Sequence, residues 1–241
     1  MRAQLSNFNQ AILNTGSIIV QFVLPQDCLL CGAPSGKAAL CLPCHASLPY
    51  HPVAACPACA VPTHQGKLCG HCLQHPPTFD RTVAALSYVF PADALMRAMK
   101  YANKLAVAHV LAQPLIALAA GQPRPDLLIP MPLHPSRLRE RGFNQSAEIA
   151  KIAARELGIP LALDACRRTR ATTPQAALPW KERVRNMRGA FVCDVDLSGK
   201  KVAVLDDVMT TGATLNELSK ALRQRGAVEI SAWVAARALP Q

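Results

Sequence analysis

Two adjacent carboxylates, Asp206 and Asp207, close the apolar run Val202-Ala203-Val204-Leu205. The string Val208-Met209-Thr210-Thr211-Gly212-Ala213-Thr214 follows before a helical pattern begins. Carboxylates accept hydrogen bonds from hydroxyl groups such as those of a ribose. A loop of hydroxyls and glycine leading into a helix offers a phosphate its backbone N–H groups and the positive end of a helix dipole. The two together describe a sugar-phosphate site, and open α/β sheets carry ligands at the carboxyl ends of their strands. Acids at a strand end and a Thr N-cap also occur in ordinary strand–turn–helix connections. The string lacks the Lys of the P-loop and the glycine spacing of the dinucleotide fingerprint, so neither of those motifs fits.

A second chemistry sits at the other end of the chain. Eight of the ten cysteines form Cys-x-x-Cys pairs: Cys28/Cys31, Cys41/Cys44, Cys56/Cys59 and Cys69/Cys72. The pattern repeats at an offset of 28 residues, the mark of two copies of one small unit. Two residues between thiolates let one turn present both sulfurs to one ion, and two such turns complete a four-sulfur shell. A segment this short and this poor in large apolar residues cannot fold on burial alone, and metal binding would supply the missing free energy. Structural zinc, two ions, is the reading these thiolates favour, and four thiolates leave no open position for catalysis. Disulfides would need an oxidising compartment and no export signal is visible. An iron–sulfur cluster also uses four thiolates, and a redox Cys-x-x-Cys normally occurs singly. Sequential pairing puts Cys28, Cys31, Cys41 and Cys44 on one ion and Cys56, Cys59, Cys69 and Cys72 on the other; a cross-braced pairing stays open. Cys166 and Cys193 read as small apolar residues.

The elements that must position these groups alternate along the rest of the chain. Thr82 to Phe90 reads as a strand, Pro91 to Tyr101 and Leu105 to Ala120 as helices, Asp126 to Met131 as a strand, and Asn144 to Leu157 as a helix stopped by Gly158 and Pro160. Lys201 to Leu205, a helix from Thr214 to Arg225 and Val228 to Val234 complete the alternation, which implies an α/β fold with a mostly parallel sheet and helices on both faces. Three regions result: an amphipathic helix over 1–27, with Leu5, Phe8, Ile12, Ile19 and Val23 at helical spacing; the cysteine module over 28–76, ending at Pro76-Pro77; and the α/β domain over 77–241. The run Ile18–Leu24 is far short of the ~20 residues of a membrane span.

The net charge is +11 and unevenly spread: residues 134–190 hold twelve Lys/Arg against five Asp/Glu. A polyanionic small molecule and single-stranded nucleic acid would both be drawn to that field. Aromatics are only 5% of the chain, which leaves little material for base stacking. Two basic segments stand out. One leaves a strand through Pro130, Pro132 and Pro135 and reaches Arg137, Arg139 and Arg141. The other runs from Arg167 to Arg188, includes Arg168, Arg170, Thr173, Gln175, Lys181, Arg183 and Asn186, and has the composition of a mobile lid. Arginine suits a bidentate grip on phosphate oxygens.

The string from Val202 to Thr214 resembles the phosphoribosyl diphosphate (PRPP) signature of type I phosphoribosyltransferases. That resemblance makes Asp206 and Asp207 the catalytic pair that holds the ribose 2′- and 3′-hydroxyls. It wraps Thr210, Thr211, Gly212, Ala213 and Thr214 around the 5′-phosphate, with Mg²⁺ arriving on PRPP. Some purine salvage members carry an Asp where this chain has Thr210. The ordered set of a double Cys-x-x-Cys ribbon, Pro132-Leu133-His134, Arg141-Gly142-Phe143-Asn144-Gln145, Gly189-Ala190-Phe191 and the acid-pair loop is similar to the ComF family, which includes GntX-type proteins. Lys100-Tyr101 resembles that family's Lys-Tyr pair, with Ala102-Asn103 where Gly often follows. The resemblance implies a type I phosphoribosyltransferase fold behind a double zinc ribbon. It also implies loop arginines (Arg137, Arg139, Arg141, Arg167, Arg168 and Arg170) on the departing pyrophosphate, and a cytoplasmic role in natural transformation on incoming single-stranded DNA. The acceptor and the oligomeric state stay open. A non-catalytic module for single-stranded DNA or a DNA-processing protein, with PRPP as regulatory ligand or vestige, is the competing expectation.

Overall fold

The computed structural model describes residues 26–170 and 189–239. The expected helix over 1–27 falls almost wholly outside the described residues, as does the stretch of the second basic segment that holds Thr173, Gln175, Lys181, Arg183 and Asn186. The chain divides into two compact units, Met1–Leu48 and Pro49–Gln241. That division runs through the expected 28–76 module, between its two copies.

In the first unit, strands β1 (Gln26–Asp27) and β2 (Pro34–Gly36) pair antiparallel, and helix α1 (Leu42–Ala46) follows. The turn between the strands closes through Gly32 N–H to the Cys28 carbonyl at 2.9 Å, with Gly32 at φ +72°. Cys28, Leu40 and Leu48 are its buried apolar side chains among the described residues. So small a core cannot hold a unit together without a cross-link or a metal.

The second unit opens with the second cysteine copy, including helix α2 (Gly70–Gln74), whose N-cap Cys69 accepts from Cys72 N–H at 3.4 Å. Then come β3 (Arg81–Ser87), α3 (Ala92–Ala102), α4 (Val107–Ala119), β4 (Leu127–Pro130), α5 (Pro135–Arg141), α6 (Gln145–Leu157), β5 (Cys166–Arg168), β6 (Phe191–Cys193), β7 (Lys201–Met209), α7 (Ala213–Gln224) and β8 (Glu229–Arg237). The main sheet has the order β3-β8-β7-β4, and each neighbouring pair is parallel. Strand side chains alternate between faces, and here both faces are buried. Val202, Val204, Ile230, Ala232 and Val234 share a core with Leu215, Leu218 and Leu222 of α7. The intervening Ala203, Leu205, Trp233 and Ala235 are equally covered, α4 contacts β3 and β8, and α6 contacts β4 and β7. Burying each such Leu, Ile or Val contributes roughly 1.5–3 kcal/mol. The second cysteine copy belongs to this core, because Cys56, Ala58, Cys59, Ala60 and Cys72 lie in the same buried cluster as Phe79, Met209 and Leu215.

Three differences from the sequence expectation have local causes. Strand β7 runs on to Met209 rather than stopping at Leu205, since β8 continues to pair with it through Asp206↔Val234 and Val208↔Ala236. The segment after β4 is not an open loop: Pro135 supplies a preset helical φ in the first turn, the His134 ring accepts from Ser136 N–H at 3.2 Å, and Gly142 at φ +78° ends the helix. The root of the second basic segment is an antiparallel ribbon, β5 with β6, in which Cys166 faces Cys193 and both are buried. Asn103 ends α3 in the left-handed region at φ +52°, a conformation Asn tolerates better than most side chains, so the Gly often found after the Lys-Tyr pair is not required.

Candidate functional site

The acid pair stands where the strands of the sheet differ in length. Strand β4 stops at Pro130, which pairs with Leu205, and Met131 N–H donates to the Leu205 carbonyl at 2.8 Å. Beyond that point β7 has no neighbour in the ladder on the β4 side, and Asp206 and Asp207 occupy the projecting stretch, each 9% exposed. The Asp206 carboxylate accepts from its neighbour's backbone, Asp207 N–H, at 2.9 Å and from the Ser146 hydroxyl at 3.1 Å. Asp207 accepts from Val208 N–H at 2.7 Å and pairs with the Lys100 ammonium at 2.6 Å.

Electrostatics separate the two acids. Burial, and then the neighbouring Asp207 charge, push Asp206 up to about 7 from the ordinary 3.8 against the pull of its hydrogen bonds and Lys100. Burial works against the Lys100 charge, but Asp207 and Asp206 outweigh it and hold the ammonium above its usual range.

Helix α6 brings Ser146 to the pair. Its N-cap Asn144 accepts from Ser146 N–H at 3.0 Å and Ala147 N–H at 3.4 Å, while the Asn144 amide donates to the Met131 carbonyl at 2.9 Å. One side chain thus caps α6 and ties it to the end of β4. Gln145 is 1% exposed; its carbonyl oxygen accepts from Arg141 at 3.1 Å and its amide nitrogen has no acceptor. An arginine has donors only, so the Gln145 amide cannot flip, and its NH₂ remains a buried donor beside Ser146.

The phosphate-loop residues follow β7. Gly212 sits at φ +78° as the N-cap of α7 and has no side chain to cap it, and Ala213 N–H, the first of the helix, donates to the Thr211 hydroxyl at 3.3 Å. A Cβ at Gly212 would meet Met209 Cε at 2.7 Å. The loop therefore favours glycine for its left-handed conformation, while the Met209 methyl would have to shift to admit a side chain.

The expected basic residues divide. Arg168 is half-buried, and burial lowers its pKa while Asp206 pulls it up and Arg137 pushes it down, so Arg168 lies within electrostatic reach of both Asp206 and Arg137. Arg141 stands over the Tyr101 ring at 5.8 Å and holds Gln145. Arg137 also pairs with Glu140 at 2.8 Å. Arg167 is engaged by Asp194 at 2.7 and 3.1 Å, and Arg139 and Arg170 are exposed. Lys100, Ser146 and Gln145 had been given no site role from sequence. Lys100 had a signal: it continues the buried stripe Leu95, Met96 and Met99 of α3, where a charge is unusual without a partner.

The two metal centres form as sequential tetrads. The sulfurs of Cys28, Cys31, Cys41 and Cys44 lie within 4.8 Å of one another, and so do those of Cys56, Cys59, Cys69 and Cys72. Four sulfurs at about 2.3 Å from a tetrahedral zinc stand about 3.8 Å apart, and Cys31···Cys41 at 3.7 Å and Cys59···Cys69 at 3.6 Å fit that shell. Cys69 N–H donates to Cys56 Sγ at 3.4 Å, the bond expected of a thiolate. The two tetrads support structural zinc, and the cross-braced pairing is excluded by their separation into two clusters. Among the described residues no helix is long and apolar enough to cross a membrane.

Comparison with known proteins agrees with both halves. Residues 19–73 match the double zinc ribbon domain and residues 144–239 the phosphoribosyl transferase domain. The DNA utilization protein YhgH of Salmonella typhi is 32% identical over 225 residues, covering 90% of this chain and 99% of that protein. The competence protein F of Haemophilus influenzae is 35% identical over 179 residues, covering 70% and 78%. Among solved structures, the purine phosphoribosyltransferase of Pyrococcus horikoshii matches 63% of this chain and 74% of its own at 20% identity, with a TM-score of 0.31. With relatives of that identity matched along nearly their whole length, the chain belongs to the ComF family of phosphoribosyltransferase-domain proteins with an N-terminal double zinc ribbon.

Proposed function

We propose that this protein binds PRPP with Mg²⁺ at the Asp206–Thr214 site and serves DNA utilisation or uptake, the role named for its relatives. The observation that carries the ligand reading is the acid pair on the projecting end of β7, followed five residues on by a left-handed Gly212 at the start of α7. Asp206 and Asp207 accept the ribose hydroxyls, and Thr210 to Thr214 take the 5′-phosphate at the helix N-terminus. Arg137, Arg168 and the Gln145 amide face the diphosphate. Mg²⁺ would be held mainly by phosphate oxygens and water, with few protein ligands, and would neutralise charge on the leaving group. Lys100 on Asp207 leaves that carboxylate to the sugar rather than to a cation. The chain's contribution to any transfer is positioning and charge stabilisation around C1. No carboxylate stands at Thr210 to act on a base, so the acceptor is left undefined. Reduced, metal-binding thiols fit the cytoplasm. The test is calorimetric titration of PRPP with Mg²⁺. Wild type binds and Asp206→Asn and Asp207→Asn lose affinity; unchanged affinity in both variants overturns the site.

A second reading is favoured by a groove of about 650 Å³ whose lining includes Lys151, Arg167, Arg168 and Phe143, along with the acids Glu148 and Asp164. It is suited to single-stranded DNA without catalysis, PRPP then being a regulatory ligand. Oligonucleotide affinity that falls steeply with salt supports it, and absence of binding at low salt rules it out.

A further inference from the structure

Arg237 ends β8 and is 3% exposed, and no other lysine or arginine among the described residues is as buried. It makes no ion pair with a carboxylate among the described residues. Its guanidinium donates instead to backbone carbonyls: Nε to Cys59 at 2.7 Å, and Nη1 to Met209 at 3.2 Å, to Thr210 and to Ala238. A buried cation without a counter-charge is costly. The neighbouring counter-charge is the second cysteine tetrad, since Cys59 is one of its four ligands. Four thiolates on a divalent ion leave a net charge of about −2. Other bonds brace the same knuckle: Thr82 N–H and hydroxyl donate to the Pro57 and Ala58 carbonyls at 2.9 and 2.6 Å, and the His51 ring bonds the Ala60 carbonyl at 2.6 Å.

The other side of Arg237 faces the phosphate loop. In a trans peptide the C=O and the next N–H point in opposite directions. Drawing the Met209 and Thr210 carbonyls onto the guanidinium therefore turns the Thr210 and Thr211 N–H groups away from it. The Met209 carbonyl also accepts from Ala238 N–H at 2.9 Å, so the guanidinium reinforces that peptide plane, holds the next one through the Thr210 carbonyl, and holds the carbonyl of a metal ligand.

We propose that Arg237 is a positioning residue that couples the second metal centre to the phosphate loop. The metal-loaded tetrad holds the guanidinium, and the guanidinium holds the Met209 and Thr210 peptides in the orientation that receives an anion. Loss of that metal loosens the loop without any change at Asp206 or Asp207. The inference rests on residues 210–214 being the phosphate loop, and its test separates the two ideas.

The experiment compares zinc-loaded, full-length wild type with Arg237→Gln and Arg237→Lys. It measures zinc release to a chromogenic chelator and hydrogen exchange at residues 209–214, both without PRPP, and then PRPP affinity. Arg237→Gln is expected to release one of its two zinc ions about tenfold faster, to exchange at 209–214 about tenfold faster, and to bind PRPP about tenfold more weakly. Arg237→Lys keeps the charge but not the fork, so it restores part of the zinc retention and little of the exchange protection; it carries the test if the glutamine variant is insoluble. Cys72→Ser supplies the reverse arm and is expected to raise exchange at 209–214. The coupling is overturned if zinc release or loop exchange is unchanged in the Arg237 variants, or if Cys72→Ser leaves the loop as protected as in wild type. Failure of wild type to bind PRPP, with zinc release and exchange behaving as expected, overturns the ligand reading and leaves the coupling standing.

Discussion

Asp206 is the residue at which stability and function pull in opposite directions. Its carboxyl titrates near 7 in the fold against an ordinary 3.8, raised first by burial and then by Asp207. A folded value above the unfolded one means that the fold binds the extra proton. The favourable contribution is full below about pH 4 and lost as pH rises through about 7. The opposite, ionised form offers acceptors only and accepts a ribose hydroxyl more strongly. PRPP affinity is therefore expected to rise between about pH 6 and 8 while this group's contribution to Tm falls. Asp206→Asn should flatten that share of both profiles and be roughly 1–3 kcal/mol more stable than wild type near pH 8. Matching Tm–pH curves for the two proteins would refute the assignment. At Gly212 the left-handed backbone dominates, because the Met209 methyl can move aside. Gly212→Ala should cost roughly 1–2 kcal/mol of stability in denaturant titration and weaken phosphate binding.

At the scale of elements, Asn144 and the second tetrad do the positioning. Asn144→Ala removes the α6 cap and the bond to Met131 together, and should destabilise the protein by roughly 1–2 kcal/mol, read from the urea midpoint. It should also weaken PRPP binding, because Ser146 loses its hold on Asp206. Strand and helix types were legible because apolar periodicity and end signals agreed: Asn144 and Gly158 bracket α6, and an unbroken apolar run announces β7. What sequence could not show is pairing between distant segments. Nothing in Lys201 to Met209 says that β8 continues alongside while β4 stops, yet the acids stand where that difference in length falls. The Lys100–Asp207 pair spans 107 positions (207 − 100) and depends on how α3 lies over the sheet. The second cysteine copy read as a twin of the first, but its knuckle is braced by His51 and by Thr82 and Arg237 of the sheet, so removing its metal should lower the Tm of the whole Pro49–Gln241 unit. The spacing of the cysteines could not carry that information.

The whole molecule combines a net charge of +11 with a buried acid pair at the end of its sheet. Its positive field suits any polyanion, so charge alone does not choose between a small diphosphate and a nucleic acid strand. The proposal of a small diphosphate rests instead on geometry: two acids on a projecting strand, a lysine and a serine bonded to them, and a glycine-started helix behind. The central claim is that this constellation binds PRPP, and calorimetric titration of PRPP with Mg²⁺ into the zinc-loaded full chain tests it most directly. Saturable binding by wild type, lost in both Asp206→Asn and Asp207→Asn with zinc content and a cooperative thermal transition retained, is the predicted result. No binding by wild type, or equal affinity in all three proteins, would contradict it.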